Sequence, residues 1–274
     1  MSDTLNKSLP AFDKPPVIEV VCGLQFVPIR TFTLPHLGIL WEKFKNDYPN
    51  GRDAIPLMPT IERFDDKGTD FNFPFVDELP PPRVWFESKD GNRLIQVQRD
   101  RFFYNWKKER DTDIYPHYDN IISNFRTCLA TFEAFLEENH FDRIDPVQYE
   151  LTYINHIFTG EGWKALDEIG NIFPDFHWRK TENRFLPSPE TINWQTSFVL
   201  PERTGRLRVS IRLGKRKSDG LPTILLELTA RGISADRTRP SMLSWFDMAH
   251  EWIVCGFTDL TAENMHRNFW RRTR

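Results

Sequence analysis

Residues 205–215, GRLRVSIRLGK, and residues 223–232, TILLELTARG, decide the fold. Along a strand successive side chains point to opposite faces. Leu207, Val209, Ile211 and Leu213 therefore share one face, while Arg206, Arg208, Ser210 and Arg212 share the other. In the second stretch Ile224, Leu226 and Leu228 oppose Glu227, Thr229 and Arg231. A sheet with one apolar and one polar face has to bury the first beneath another layer, which helices must supply.

The pattern extends in both directions. In TINWQTSFVLP (191–201) Asn193, Gln195 and Ser197 oppose Ile192, Trp194, Thr196 and Phe198. In PVQYELTYINHIF (146–158) Gln148, Glu150, Thr152 and His156 oppose Val147, Tyr149, Leu151 and Tyr153. Upstream, VIEVVCGLQF (17–26), RVWFES (83–88), RLIQVQ (93–98) and RFFYNWK (101–107) read as strands, the last three joined by Lys89-Asp90-Gly91-Asn92 and the Gln98-Arg99-Asp100 corner as an antiparallel meander. Helical spacing places Leu37, Leu40, Trp41 and Phe44 on one stripe and residues 121, 122, 125, 129, 132, 135 and 136 on another. Residues 241–261 supply the last long helix, and residues 160–173 predict a short one. The proline-rich stretch 51–82 has no clean period and reads as a long, partly ordered connection, and a second proline-bounded connection runs to about residue 189.

After a polar arm, residues 1–16, both 17–145 and 146–274 thus read strand, helix, three-stranded meander, long helix. The expectation is one α+β unit: a curved antiparallel sheet from two pseudo-repeated β-α-β-β-β-α halves, with the long helices packed on one face.

Composition bounds the function. With 274 residues, 39% of them apolar and 14% aromatic, the chain fills a sizeable core. A net charge of -3 provides no overall field to gather nucleic acid, so any such role is local. Cys22, Cys128 and Cys255 lie far apart, without disulfide-framework or zinc spacing. No run of about 18 apolar residues and no leader peptide stands out, so a cytoplasmic protein without membrane association is expected. The seven histidines have no metal spacing, and Gly160-Glu161-Gly162 lacks the rest of a phosphate loop. No catalytic residue, metal or cofactor is assigned.

Function is then sought on the polar face. Glu150, Gln195, Arg208, Arg212, Glu227 and Arg231 form a candidate ligand-binding set, since arginine forks suit phosphate and carboxylate. The same alternation is also what a wet sheet face with cross-strand ion pairs displays. Glu19, Gln25, Glu87, Gln96 and Gln98 are expected to continue this face into the first half. Glu19 and Glu150, each among apolar neighbours, are expected to pair with Arg208 or Arg212, or else to be pushed up by burial. A second set combines Arg206, Lys215, Arg216 and Lys217 of the acid-free run 203–217 with Phe269, Trp270, Arg271 and Arg272 of the closing HRNFWRRTR. Folded back over the sheet, that tail would complete a basic patch for nucleic acid or a protein partner, with Phe269 or Trp270 stacking on a base. The other reading inserts the two aromatics into the protein's own surface.

In PPVIEVVCGLQF (15–26), LGILWEKFKNDYPN (37–50), YELTYINHI (149–157) and HEWIVCGFTDLTAENMHRNFW (250–270) the chain is similar, over nearly its full length, to a family of uncharacterised, sporadically distributed bacterial and archaeal proteins. That resemblance implies an accessory role in prokaryotic defence or mobile islands and carries over no functional residue. The element order is similar, at the level of topology alone, to the saddle of TATA-box-binding proteins and to two-repeat small-molecule-binding regulators, both of which bind on the open sheet face. The reading is a non-catalytic binding or adaptor protein engaging a protein partner or nucleic acid; a small-molecule sensor or enzyme with a polar Arg/Glu pocket is the alternative.

Overall fold

The computed structural model describes residues 8–64, 82–176, 184–216 and 219–274. Lys217, and most of the 51–82 connection, lie outside the described residues. Strands β1 (Val17–Phe26), β2 (Asn50–Ala54), β3 (Arg83–Glu87), β4 (Arg93–Gln98), β5 (Arg101–Lys107), β6 (Pro146–Phe158), β7 (Asn193–Val199), β8 (Gly205–Lys215) and β9 (Pro222–Gly232) join helices α1 (Leu34–Phe44), α2 (His117–Glu138), α3 (Arg239–Leu260) and α4 (Glu263–Asn268). Among the described residues the strands form one open sheet, ordered β2-β3-β4-β5-β1-β6-β9-β8-β7. Every pairing is antiparallel. The two long strands that start each half, β1 and β6, sit side by side near the centre, where Cys22 faces Leu151 and Gly23 faces Glu150.

The apolar side of this sheet carries the helices. Ile121, Phe125, Leu129 and Phe132 of α2 are buried over β1 and β5, where Phe132 stacks on Phe102 at 5.1 Å. Met242, Trp245, Phe246 and Ile253 of α3 are buried over β6, β8 and β9, with Trp245 and Phe246 against Tyr149. The helices meet through Phe125 and Phe246, ring centres 5.3 Å apart, so the core runs continuously beneath both. Leu207, Val209, Ile211, Ile224, Leu226 and Leu228 are all buried in it, as the alternation requires. No helix of the described residues is long and apolar enough to cross a membrane.

Three features differ from expectation. Residues 50–54 add a short edge strand where a loop is expected; its Gly51, Arg52 and Asp53 give little propensity signal, and the ladder to Trp85 and Phe86 supplies what propensity lacks. The helix expected over 160–173 is a 3-10 turn, Leu166–Asn171, opened by Gly160 and Gly162 at positive φ. Trp163, Leu166, Ile169 and Ile172 are buried at intervals of three, the period of a 3-10 helix and not of an α-helix.

The third difference concerns the chain ends. The C-terminal tail does not fold over the polar face. After α4 it runs beside residues 11–14: the Asp13 N–H donates to the Arg271 carbonyl, Lys14 N–H to the Trp270 carbonyl, and Thr273 N–H to the Ala11 carbonyl. Trp270 is 2% exposed, packed on Phe12, Phe257 and His266. Its ring cannot stack on a base, and Phe269 is partly buried against the same cluster. Arg271 and Arg272 remain exposed on the helix side, away from the arginines of β8. A tail held by its own aromatic anchor behaves as core. Trp270→Ala is therefore expected to cost about 3–5 kcal/mol, read from urea unfolding, whereas a solvated tail would change stability by less than about 0.5 kcal/mol.

Candidate functional site on the polar face

The register sets the composition of the polar face row by row. One row joins Arg206, Arg231, Glu150, Gly23 and Phe103; the next joins Ser197, Arg208, Thr229, Thr152, Val21 and Asn105. Phe103 lies over Gly23, where an added Cβ would meet its ring at 1.6 Å, so only glycine leaves the ring room there.

Beside the first of these rows lies another, formed by Gln98, Arg101, Gln25 and Gln148. Residues 55–64 cross the sheet above it as a strap. A glutamine amide offers the same donor and acceptor as a peptide unit, and here three glutamines read the strap as a neighbouring strand would. Gln98 Oε1 accepts from Leu57 N–H at 3.0 Å, and its Nε2 donates to the Leu57 carbonyl at 3.1 Å. Gln25 and Gln148 both donate to the Thr60 carbonyl, at 3.2 and 2.6 Å, and Gln148 Oε1 accepts from Glu62 N–H at 2.7 Å. Arg101 is locked beside them by two bonds to Asp100, 3.1 and 3.0 Å long. Ile55, Leu57, Met58 and Ile61 keep exposed side chains on the strap.

At its far end the strap delivers Glu62 to two arginines. Arg206 Nη1 donates to Glu62 Oε2 at 2.9 Å, and Arg208 grips the same carboxylate through Nε and Nη2, the latter at 3.0 Å. Arg206 also donates to the Arg63 carbonyl and lies 4.2 Å over the Phe64 ring, which Arg203 covers from 4.7 Å. Burial alone would raise the Glu62 carboxyl, but the bonds and charges of Arg208 and Arg206 hold it below the usual carboxylate range.

Next to this clamp is a polar depression of about 450 Å³, walled by Gln195, Arg208, Arg212, Glu227 and Arg231 with Ser197, Ser210 and Thr229 between them. Arg212 reaches Glu227 at 3.2 Å, and Arg231 Nε reaches Glu150 at 2.6 Å. Thr152 and Thr229 share a hydroxyl bond of 2.9 Å between the two pairs. Arg208 and Arg212 are about half exposed, at 49% and 48%, so both forks retain faces open to solvent. Across clamp and depression Arg206, Arg208, Arg212 and Arg231 face Glu62, Glu150 and Glu227, leaving one positive charge in surplus.

Five of the six residues expected to bind ligand thus wall one depression, and the sixth, Glu150, is the partner of Arg231. The expected pairings are corrected. Arg208 is taken by Glu62 and Arg212 by Glu227, because Arg231 lies directly opposite Glu150 across the β6–β9 ladder. Glu19 receives a 2.5 Å bond from Asn105, itself bonded to Gln96, and burial raises its carboxyl. The face is not wet throughout. Gln25, Gln96, Gln98 and Asn105 are buried, so the solvent-open part belongs to the second half. Nor does the basic run make one patch: Arg206 serves the clamp, while Lys215 and Arg216 sit at the opposite end of β8, where Arg216 pairs with Asp219 and lies over Phe158. Glu62 went unassigned in the sequence; its one signal there is an acid following a proline-spaced, strand-free stretch.

No family profile, curated protein or solved structure matches the chain.

The clamp sets a pH dependence. A carboxyl whose folded pKa lies below its unfolded value stabilises fully above the unfolded value, and that contribution disappears as pH falls through the folded one. Glu62→Gln is expected to lower stability at pH 7 by about 1 kcal/mol, the size of an ion pair with one half-exposed partner. In urea unfolding the gap from wild type should narrow between pH 7 and about pH 3, as pH falls below the ordinary glutamate pKa of about 4.3. An equal gap at both pH values would remove the clamp's ionic character.

Proposed function

We propose that the chain is a non-catalytic binding protein that receives an extended, acidic segment of a protein partner on the open half of the polar face. The observation that carries this reading is the strap. The sheet already holds one extended peptide, taking its backbone through glutamine amides and its carboxylate through a pair of arginines. The β7–β8 surface beyond the clamp carries the same chemistry over three successive rows, with Gln195, Ser197 and Ser210 as amide and hydroxyl groups and Arg208 and Arg212 as forks. Ile61, exposed on the strap next to Glu62, offers an apolar contact at the edge of the clamp, which favours a protein segment over a small anion. Burial of Trp270 weighs against nucleic acid, since stacking would need an accessible ring.

Read outward from β1 and β6, the orders β5-β4-β3 and β9-β8-β7 match, which supports two pseudo-equivalent halves. In that reading the first half has closed its polar face with the strap and the second keeps its own free. An accessory place in a prokaryotic defence or mobile-island system, as the family resemblance implies, fits an adaptor of this kind.

The test is fluorescence anisotropy at low salt with a labelled ten-residue oligoglutamate and a labelled ten-nucleotide single-stranded DNA. The peptide is expected to bind, to weaken with salt, and to lose at least about fivefold in affinity when Arg208→Ala and Arg212→Ala are combined. Binding of DNA without peptide, or of neither probe, would overturn the reading.

A further inference from the structure

A second cavity, of about 700 Å³, opens on the helix side, remote from the polar face. Its walls come mainly from the N-terminal arm, the start of α2, β6 and α3, and they are mostly apolar, with the rings of Phe12, Tyr115, Tyr118, Tyr153 and Phe257 among them. Into this apolar surround project three groups in a hydrogen-bonded row. Tyr115 and Tyr153 share a hydroxyl bond of 3.0 Å, and Tyr153 meets His250 Nδ1 at 3.1 Å. Tyr118 lies flat against the imidazole, 4.0 Å away and 4° from parallel, with its hydroxyl donating to Asp247 at 2.9 Å. The ring is thereby held in one orientation.

The row can run in two directions, and each leaves a different free group at Tyr115. If Tyr115 donates to Tyr153 and Tyr153 to Nδ1, the Tyr115 oxygen retains lone pairs for a donor. If Nδ1–H donates to Tyr153 and Tyr153 to Tyr115, the Tyr115 O–H is free for an acceptor. Both directions keep the imidazole neutral, in agreement with burial pushing His250 down to about 4. Asp119, Asp247 and Arg274, the fully charged groups of the wall, are exposed at its rim. A charged head beside Tyr115 would be desolvated with the exposed Asp119 as the charge that reaches it, whereas a flat ring fits edge or face against the surrounding rings. The volume falls within the range of small-molecule sites.

We propose that this cavity binds a small, neutral aromatic molecule whose hydroxyl or comparable hydrogen-bonding group joins the Tyr115–Tyr153–His250 row. The probes are 4-methylphenol and toluene, which differ by that hydroxyl, titrated by NMR into the full-length protein. 4-Methylphenol is expected to saturate one site about tenfold more tightly than toluene, the worth of one hydrogen bond into a buried row. Tyr115→Phe keeps the ring and removes the hydroxyl, and should bring the two probes within about twofold of each other. Val254→Trp, filling the void from α3, should weaken both at least about tenfold in protein whose thermal unfolding shows it folded. If Val254→Trp does not fold, Tyr115→Phe decides alone. No saturation by 4-methylphenol, a phenol preference that survives Tyr115→Phe, or binding that survives Val254→Trp in folded protein would each overturn the site.

Discussion

Gln148 and Gln98 are 1% exposed, Arg101 is 3% and Gln25 is 4%, on the side of the sheet that no helix of the described residues covers. A polar group taken from water must find a partner or cost about 1–3 kcal/mol. Four such side chains in one row would be a heavy liability for the fold. They are tolerated because the strap arrives with its backbone bare: Pro56 and Pro59 keep residues 55–64 out of helix, and the carbonyls and N–H groups this exposes are the partners that the glutamines lack. Neither side is stable in that place without the other. The strap leaves its Ile55, Leu57, Met58 and Ile61 exposed and so gains little from apolar burial, and among the described residues the glutamine row has no second sheet to meet.

From that mutual satisfaction follows the division of the polar face. In the first half the chain closes over its own amides, and a separate buried chain runs from Gln96 through Asn105 to Glu19, each link with an acceptor. In the second half polar groups pair side chain to side chain across the strands, Arg231 with Glu150 and Arg212 with Glu227, and remain partly hydrated. An exposed pair such as Arg212–Glu227 adds little stability, with a median near 0–1 kcal/mol, whereas Arg231 and Glu150 are mostly buried. The two halves of one surface therefore differ: the first is held shut by hydrogen bonds that are costly to break, and the second presents, at Arg208 and Arg212, half-exposed charges that cost less to re-pair. Glu62 stands at the boundary, a buried carboxylate on an arginine whose other face is in solvent.

Sequence carried the parts of this architecture that depend on neighbours along the chain. Two-residue alternation in β8 and β9 named the core face and the charged face correctly, since period 2 is a local property. It also assembled five of the residues that wall the depression. What it missed depends on contacts between distant segments. Which arginine meets Glu150 is set by the register of β6 on β9, and register is fixed by turns and by the whole apolar set, so Arg231 and Arg208 are indistinguishable until the ladder is formed. Glu62 reaches Arg208 across 146 positions from a stretch without periodicity. The turn at 166–171 was within reach, because apolar residues at 163, 166, 169 and 172 repeat every three, too tightly for an α-helix.

The closing HRNFWRRTR shows why composition misleads at a chain end. Four arginines and two aromatics in nine residues look like a single functional cluster, yet the physical chemistry separates them. Burial rewards an indole and penalises a guanidinium, so a short segment able to reach a groove will place one in it and leave the other in water. What the tail needed was a groove, and Phe12 with the backbone of residues 11–14 supplies it from the opposite end of the chain. The same arrangement lines one side of the helix-side cavity, since Leu9, Phe12 and Arg274 all border it. The joined termini therefore do more than seal the core: by standing away from Tyr115 and His250 they leave a void walled by rings where a closer approach would have filled it.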